Sequence, residues 1–180
     1  YGIEDKLKDE KTKPNPITPY GYSKLMAEKI HKDWQIRERN KRILTIVRPG
    51  VVYGKWEKAN MFRLVNLVKK RIFFFMGNKN TAKASIYVKE LVDQILWVND
   101  RQITNRFKNY VLFNAAMWPN PTIQDYARTT CEIAKIPYLI PTLPYGLLFI
   151  ISHVLEFIAN VVGKNNLFSP VRLKKLVRSN

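Results

Sequence analysis

PYGYSKLMAEKIHKDWQIRERNKRILTIVRPGVVYG, residues 19–54, is the stretch whose reading decides the fold. Thr18 and Pro19 predict an N-cap and a first helical residue, because a threonine hydroxyl accepts a free backbone N–H and a proline lacks one. The helix that follows is expected to run to about residue 39. Ile43 to Val47 is a short apolar, β-branched run without alternation, as expected of a strand covered on both faces of a parallel sheet. Helix followed by buried strand is the rhythm of an α/β fold.

The rest of the chain keeps that rhythm. Met61, Leu64, Val65 and Val68 predict a helix over 60–70, with Lys69, Lys70 and Arg71 at the end where the helix dipole favours cations. Ile72 to Met76 predicts a strand. Val88, Leu91, Val92, Ile95 and Leu96 predict an amphipathic helix with a core stripe, and Tyr110 to Phe113 a further strand. Thr122 is placed to cap a helix over 123–135 that Ile136-Pro137 ends.

Residues 143–162 are apolar, but His153, Glu156 and Asn160 lie among them. A carboxylate near a bilayer centre costs several kcal/mol, so a buried or interfacial helix is expected rather than a span. Lys164 to Asn180 adds five positive charges and no negative ones, and Ser169-Pro170 is placed to start a last short helix. Together, residues 143–180 form an apolar-then-basic segment that suits either peripheral contact with an anionic membrane or a docking helix with a solvated basic face.

With 180 residues and 46% hydrophobic content, the chain has enough apolar matter to pack a core, which argues against disorder. The single cysteine, Cys131, excludes an internal disulfide. With only His31 and His153 beside it, no metal cluster is expected. A reducing, cytoplasmic compartment fits, with membrane association through the C-terminal segment, and residues 1–15 do not read as a secretory signal.

The formal charge of +17, from 31 basic and 14 acidic groups, favours an anionic partner. A sugar nucleotide, a lipid phosphate or a membrane surface would satisfy it. A basic membrane-surface or nucleic-acid-binding module is one reading of this charge. Without an organised basic-aromatic motif, nucleic acid is not expected.

Tyr20 and Lys24 stand four residues apart, so the phenol and the ammonium share one helix face. A cation beside a phenol favours its phenolate and brings it from a pKa of about 10 toward the range of an acid–base catalyst. That is what reversible proton transfer to an alcohol or ketone oxygen requires.

Three ordered segments carry a resemblance: Pro19-Tyr-Gly-Tyr-Ser-Lys-Leu-Met-Ala-Glu28, Ile46-Val-Arg-Pro-Gly-Val-Val-Tyr-Gly54 and Ile86-Tyr-Val-Lys-Glu-Leu-Val-Asp93. Together they resemble the extended short-chain dehydrogenase/reductase superfamily, and within it the NAD-dependent epimerase/dehydratase family, which acts mainly on nucleotide sugars. The resemblance runs from Tyr1 to about residue 135 and weakens beyond it. It implies the C-terminal half of a Rossmann-type doubly wound parallel sheet over residues 1–135, with interleaved substrate-binding segments. A small, mainly helical part would follow over 136–180.

The resemblance also implies roles. Tyr20 would be the catalytic acid–base, and Lys24 would assist it and hydrogen-bond the nicotinamide ribose of NAD or NADP. Pro49, Gly50 and Val51 would lie along the nicotinamide, where a glycine avoids crowding the ring. Lys83 stands where nucleotide-sugar members often carry an arginine to the substrate diphosphate, although it lacks the bidentate fork. A nucleotide-sugar substrate and a homodimer are the implied partners.

Two departures limit this. The seven glycines form no Gly-x-Gly-x-x-Gly cluster, so the usual cradle for a dinucleotide pyrophosphate is missing. Tyr1-Gly2 resembles the pair that follows the family's catalytic Ser or Thr, which would then lie upstream. A truncated chain, inactive alone, is therefore expected. A steroid- or flavonoid-type hydroxyl dehydrogenase of the same superfamily is the alternative enzyme, kept open by the apolar residues 143–162.

Overall fold

The computed structural model describes residues 8–162. In chain order the elements are α1 (Pro19–Arg37), β1 (Leu44–Pro49), β2 (Val51–Tyr53), α2 (Asn60–Lys69), β3 (Phe75–Met76), β4 (Ser85–Tyr87), α3 (Val88–Ile103), β5 (Tyr110–Ala115), α4 (Ile123–Ile133), β6 (Thr142–Leu143) and α5 (Tyr145–Val162). They divide into two compact units: residues 1–55 with 84–118, and residues 56–83 with 119–180.

The first unit is α/β. Thr18 caps α1 by accepting the Gly21 N–H at 3.1 Å, and Pro19 opens the helix. β1 and β5 pair in parallel from Leu44↔Tyr110 to Pro49↔Ala115, and β2 pairs in parallel with β4 from Val51↔Ser85 to Tyr53↔Tyr87. The chain passes from one pair to the other at Gly50, whose N–H donates to Ala115 O while the Val51 N–H donates to Ala84 O. Leu44, Ile46, Ile86, Val98 and Ala115 are the buried apolar residues of this unit.

Two buried glutamines hold the loops that feed β1 and β5. Gln35 donates to Arg39 O and Arg42 O, which shapes the turn between α1 and β1. Gln102 accepts from Thr45 Oγ1 and donates to Lys108 O at 3.0 Å, which joins the end of α3 to both strand starts. Each amide replaces water that backbone carbonyls would otherwise lose.

α3 corrects one expectation. Val88, Val92, Ile95 and Leu96 are exposed, and the residues that α3 buries are Val98 and Gln102. The periodicity was sound as a helix signal, but it marks a face that this unit does not cover.

The second unit packs α2 against α4 around Val68, Phe75, Ala127 and Cys131, with Leu64, Phe73, Ile123, Ile136 and Ile140 against them. Thr122 caps α4 in a reciprocal box with Asp125. β3 and β6 pair in parallel over Phe75↔Thr142 and Met76↔Leu143. The strand expected over 72–76 begins only at Phe75, because Arg71 turns left-handed at φ 58° and the Ile72 N–H still bonds back to Leu67 O. In α5, Leu148 and Ser152 are buried. The helix expected from Ser169-Pro170 lies outside the described residues.

Candidate active site

Tyr20 is the second residue of α1, and the residue is 72% exposed. One turn on, the exposed Lys24 places its ammonium over that ring, 5.5 Å from the centroid. The four-residue spacing read from the sequence thus becomes a contact between the two side chains. Ser23 Oγ donates to Tyr20 O at 2.8 Å, a local bond within the same turn.

The position of this pair relative to the strands follows from chain reversal. α1 ends at Arg37, the chain turns, and β1 runs back along the helix. Arg48 then meets Glu28 in a fork, Nε to Oε1 at 2.8 Å and Nη2 to Oε2 at 2.6 Å. The carboxyl end of β1, with Pro49, Gly50 and Val51 just past Arg48, therefore points toward the half of α1 that carries Tyr20 and Lys24. In open parallel sheets, ligands bind outside the carboxyl ends of the strands.

Burial and charge are sharply divided here. Glu28 and Arg48 are largely removed from water, and the Arg48 guanidinium holds the Glu28 carboxyl below its ordinary range, against the opposing cost of burial. Tyr20 and Lys24 are open to solvent, with freedom to meet a ligand. The ion pair is the rigid part and the phenol–ammonium pair the accessible part.

Gly50 has a reason the sequence reading missed. A Cβ there would stand 2.6 Å from Ala84 C and O, so the glycine lets the backbone leading into β4 close on the crossing from β1 to β2. The close approach of Ala84 is by itself a packing reason for a glycine here. Glu10 is a second unanticipated participant: its carboxylate accepts the Asn114 N–H at 2.7 Å, which ties the charged N-terminal loop to the carboxyl end of β5. A 104-residue separation carries no local signal of such a bond.

Lys83 belongs to the second unit, one residue before the boundary at Ala84. Its backbone N–H donates to Pro121 O at 3.0 Å, beside the antiparallel bridge of Ala82 with Thr122. Among the described residues no three histidine, cysteine or carboxylate groups gather as a metal site, and no helix is long and apolar enough to cross a membrane.

Known proteins resemble this chain along these same segments. The NAD dependent epimerase/dehydratase family matches residues 1–112. An N-acetyl-alpha-D-glucosaminyl-diphospho-ditrans,octacis-undecaprenol 4-epimerase from Escherichia coli O157:H7 is 27% identical over 177 residues, covering 97% of this chain and 52% of that protein. The chain thus spans about half the length of this curated relative.

Among solved structures, a UDP-N-acetylglucosamine 4-epimerase from Bacillus cereus superposes with a TM-score of 0.62 at 19% identity, over 76% of this chain and 46% of that one. MoeE5 in complex with UDP-glucose and NAD gives 0.60 at 16% identity, over 97% and 61%. At these identities the likeness is one of fold, and the α/β arrangement with parallel strands is that of Rossmann-type epimerases.

Proposed function

We propose, because this chain belongs to the NAD dependent epimerase/dehydratase family, that Tyr20 and Lys24 are the acid–base pair of an enzyme that epimerises a sugar carried on a diphosphate. The observation that carries the reading is the Lys24 ammonium over the exposed Tyr20 ring at 5.5 Å, at the end of α1 toward which β1 points. A nucleotide sugar is the leading form of the substrate. A lipid-linked sugar diphosphate is the second, since the curated relative is named for one.

In this reading Tyr20 takes the proton of a sugar hydroxyl and returns it after the centre inverts. Lys24 steadies the negative charge on the Tyr20 oxygen while the proton is away, and its remaining N–H groups are free to orient a ribose. NAD or NADP, when bound, supplies a reversible hydride acceptor. The residues present fit only the nicotinamide end of that group, with Tyr20 and Lys24 at its ribose and Pro49, Gly50 and Val51 along the ring, and no Gly-x-Gly-x-x-Gly cluster stands in the chain to cradle a pyrophosphate. The pyrophosphate is assigned to residues outside this chain, which alone is expected to be inactive. Lys83 is proposed for the substrate diphosphate as a point charge.

Assay of the whole protein with UDP-N-acetylglucosamine and with a polyprenyl-diphosphate N-acetylglucosamine, with product epimers resolved by chromatography, tests the reading. Epimerisation of either supports it. Oxidation of a hydroxysteroid with no epimerisation would put the hydroxyl-dehydrogenase reading in its place.

A further inference from the structure

α5 buries one side and shows an apolar opposite side. Leu148 and Ser152 are buried, with Tyr145, Phe149 and Glu156 partly covered, and these positions fall on one arc of the helix. Tyr145 stacks on Phe149, and Phe149 meets His153 edge-on, along the margin of that arc. On the outer side lie Leu147, Ile150 and Ile151, which are 49%, 63% and 39% exposed. A docked helix in water normally turns polar residues outward, so this side is reversed.

Charge identifies the occupant. The sequence directly following α5, Lys164 to Asn180, carries Lys164, Arg172, Lys174, Lys175 and Arg178 and no acidic residue. Apolar side chains followed by clustered cations match a surface that is hydrocarbon below and anionic at its headgroups. A protein partner would have to offer both an apolar strip and an acidic patch, whereas an anionic bilayer has both everywhere. The buried Leu148 and Ser152 on the other arc place α5 on protein with one side and leave only the outer side for lipid.

We infer that α5 lies in the plane of an anionic membrane surface, with Leu147, Ile150 and Ile151 entering the acyl boundary and the positive charge of the sequence after it adding electrostatic attraction to that surface. One consequence rests on the epimerase reading: the enzyme works beside the bilayer, where a sugar diphosphate on a polyprenyl chain is presented.

Flotation of the chain with phosphatidylcholine vesicles, with and without phosphatidylglycerol, tests the inference in the absence of cofactor and sugar. Binding should require phosphatidylglycerol and weaken with added salt. The variant Leu147→Ser/Ile150→Ser/Ile151→Ser should lose binding at least about tenfold while its circular dichroism and thermal midpoint stay those of the parent chain. Equal flotation of parent and variant, or no flotation of the parent, would overturn the inference. So would a parent dimer that the same substitutions dissociate, since a second copy would then cover the stripe. Tyr20→Phe should float unchanged, so failure of the membrane inference leaves the catalytic proposal standing, and the reverse holds.

Discussion

Arg48 of β1 forks onto Glu28 of α1, with two parallel N–H to oxygen bonds of 2.8 and 2.6 Å between largely buried side chains. Residues 20 apart are thereby made one rigid joint between the helix that carries Tyr20 and the strand that leads to Pro49. Bidentate geometry fixes orientation as well as distance. Glu28→Gln removes the negative charge that the guanidinium meets in a poorly hydrated place, and the expected loss is about 2–3 kcal/mol of unfolding free energy. A urea titration of parent and variant measures it; a change below about 0.5 kcal/mol would mean that solvent already screens the pair.

The same pair sets an acid limit. Arg48 depresses the Glu28 carboxyl below its ordinary value of 4.5, so the folded state binds this proton less readily than the unfolded state. The stabilisation is therefore present above pH 4.5 and is lost as pH falls through the depressed value. Thermal midpoints of the parent should fall on acidification from pH 5 to pH 3 more steeply than those of Glu28→Gln, whose side chain does not titrate. Parallel curves for the two would overturn the assignment.

Gly50→Ala tests the crossing between the two strand pairs. The added Cβ meets backbone atoms of Ala84 at 2.6 Å, and a backbone cannot rotate aside as a side chain tip can. A loss of about 1–3 kcal/mol is expected, as for other overpacked sites. If instead the variant is as stable as the parent, the strand pairs are looser than their register implies.

How much of this was legible in the sequence depends on whether the signal was local. Thr18-Pro19 and Thr122 announced their helices, because a cap acts on N–H groups two or three residues away. The strand at residues 44–49 was legible from its β-branched run, and the parallel pairing from the alternation of helix and strand. Gln35 and Gln102 were not, since a buried amide looks like a surface one until the loop it serves is in place. The contact of Lys24 with Tyr20 was legible from their helical spacing, whereas the packing role of Gly50 depended on Ala84, 34 positions on, for which no local pattern exists.

The Thr122 box offers a smaller, cleaner test in the second unit. Thr122 Oγ1 accepts the Asp125 N–H at 3.1 Å while the Asp125 carboxylate accepts the Thr122 N–H at 2.8 Å. Thr122→Ala should cost about 1 kcal/mol, and Thr122→Ser should recover most of it because the hydroxyl returns. A chemical-denaturation series over the three proteins checks the order, and equal midpoints for alanine and serine would show that the hydroxyl does not act as the cap.

Tyr20→Phe removes one oxygen from a residue that is 72% exposed, so folding stability should hardly change. In the whole protein, turnover should fall by about a hundredfold or more, the usual contribution of a positioned acid–base group. Lys24→Ala should also lower turnover while leaving Tyr20 in place, since the ammonium that faces the ring is gone. Steady-state rates with the sugar substrate decide both, and a Tyr20→Phe enzyme with near-parental turnover would remove the phenol from the mechanism.

NAD itself separates the two halves of the proposal. In the proposed reading Tyr20 and Lys24 address only the nicotinamide end, and a dinucleotide owes much of its affinity to backbone N–H groups around its pyrophosphate. The seven glycines of the chain form no Gly-x-Gly-x-x-Gly cluster that would allow such an approach. The 180-residue chain should therefore bind NAD no more tightly than about 1 mM in calorimetry. A micromolar constant would mean that residues of this chain cradle the pyrophosphate after all, and that the Tyr20–Lys24 end is not where the affinity lies.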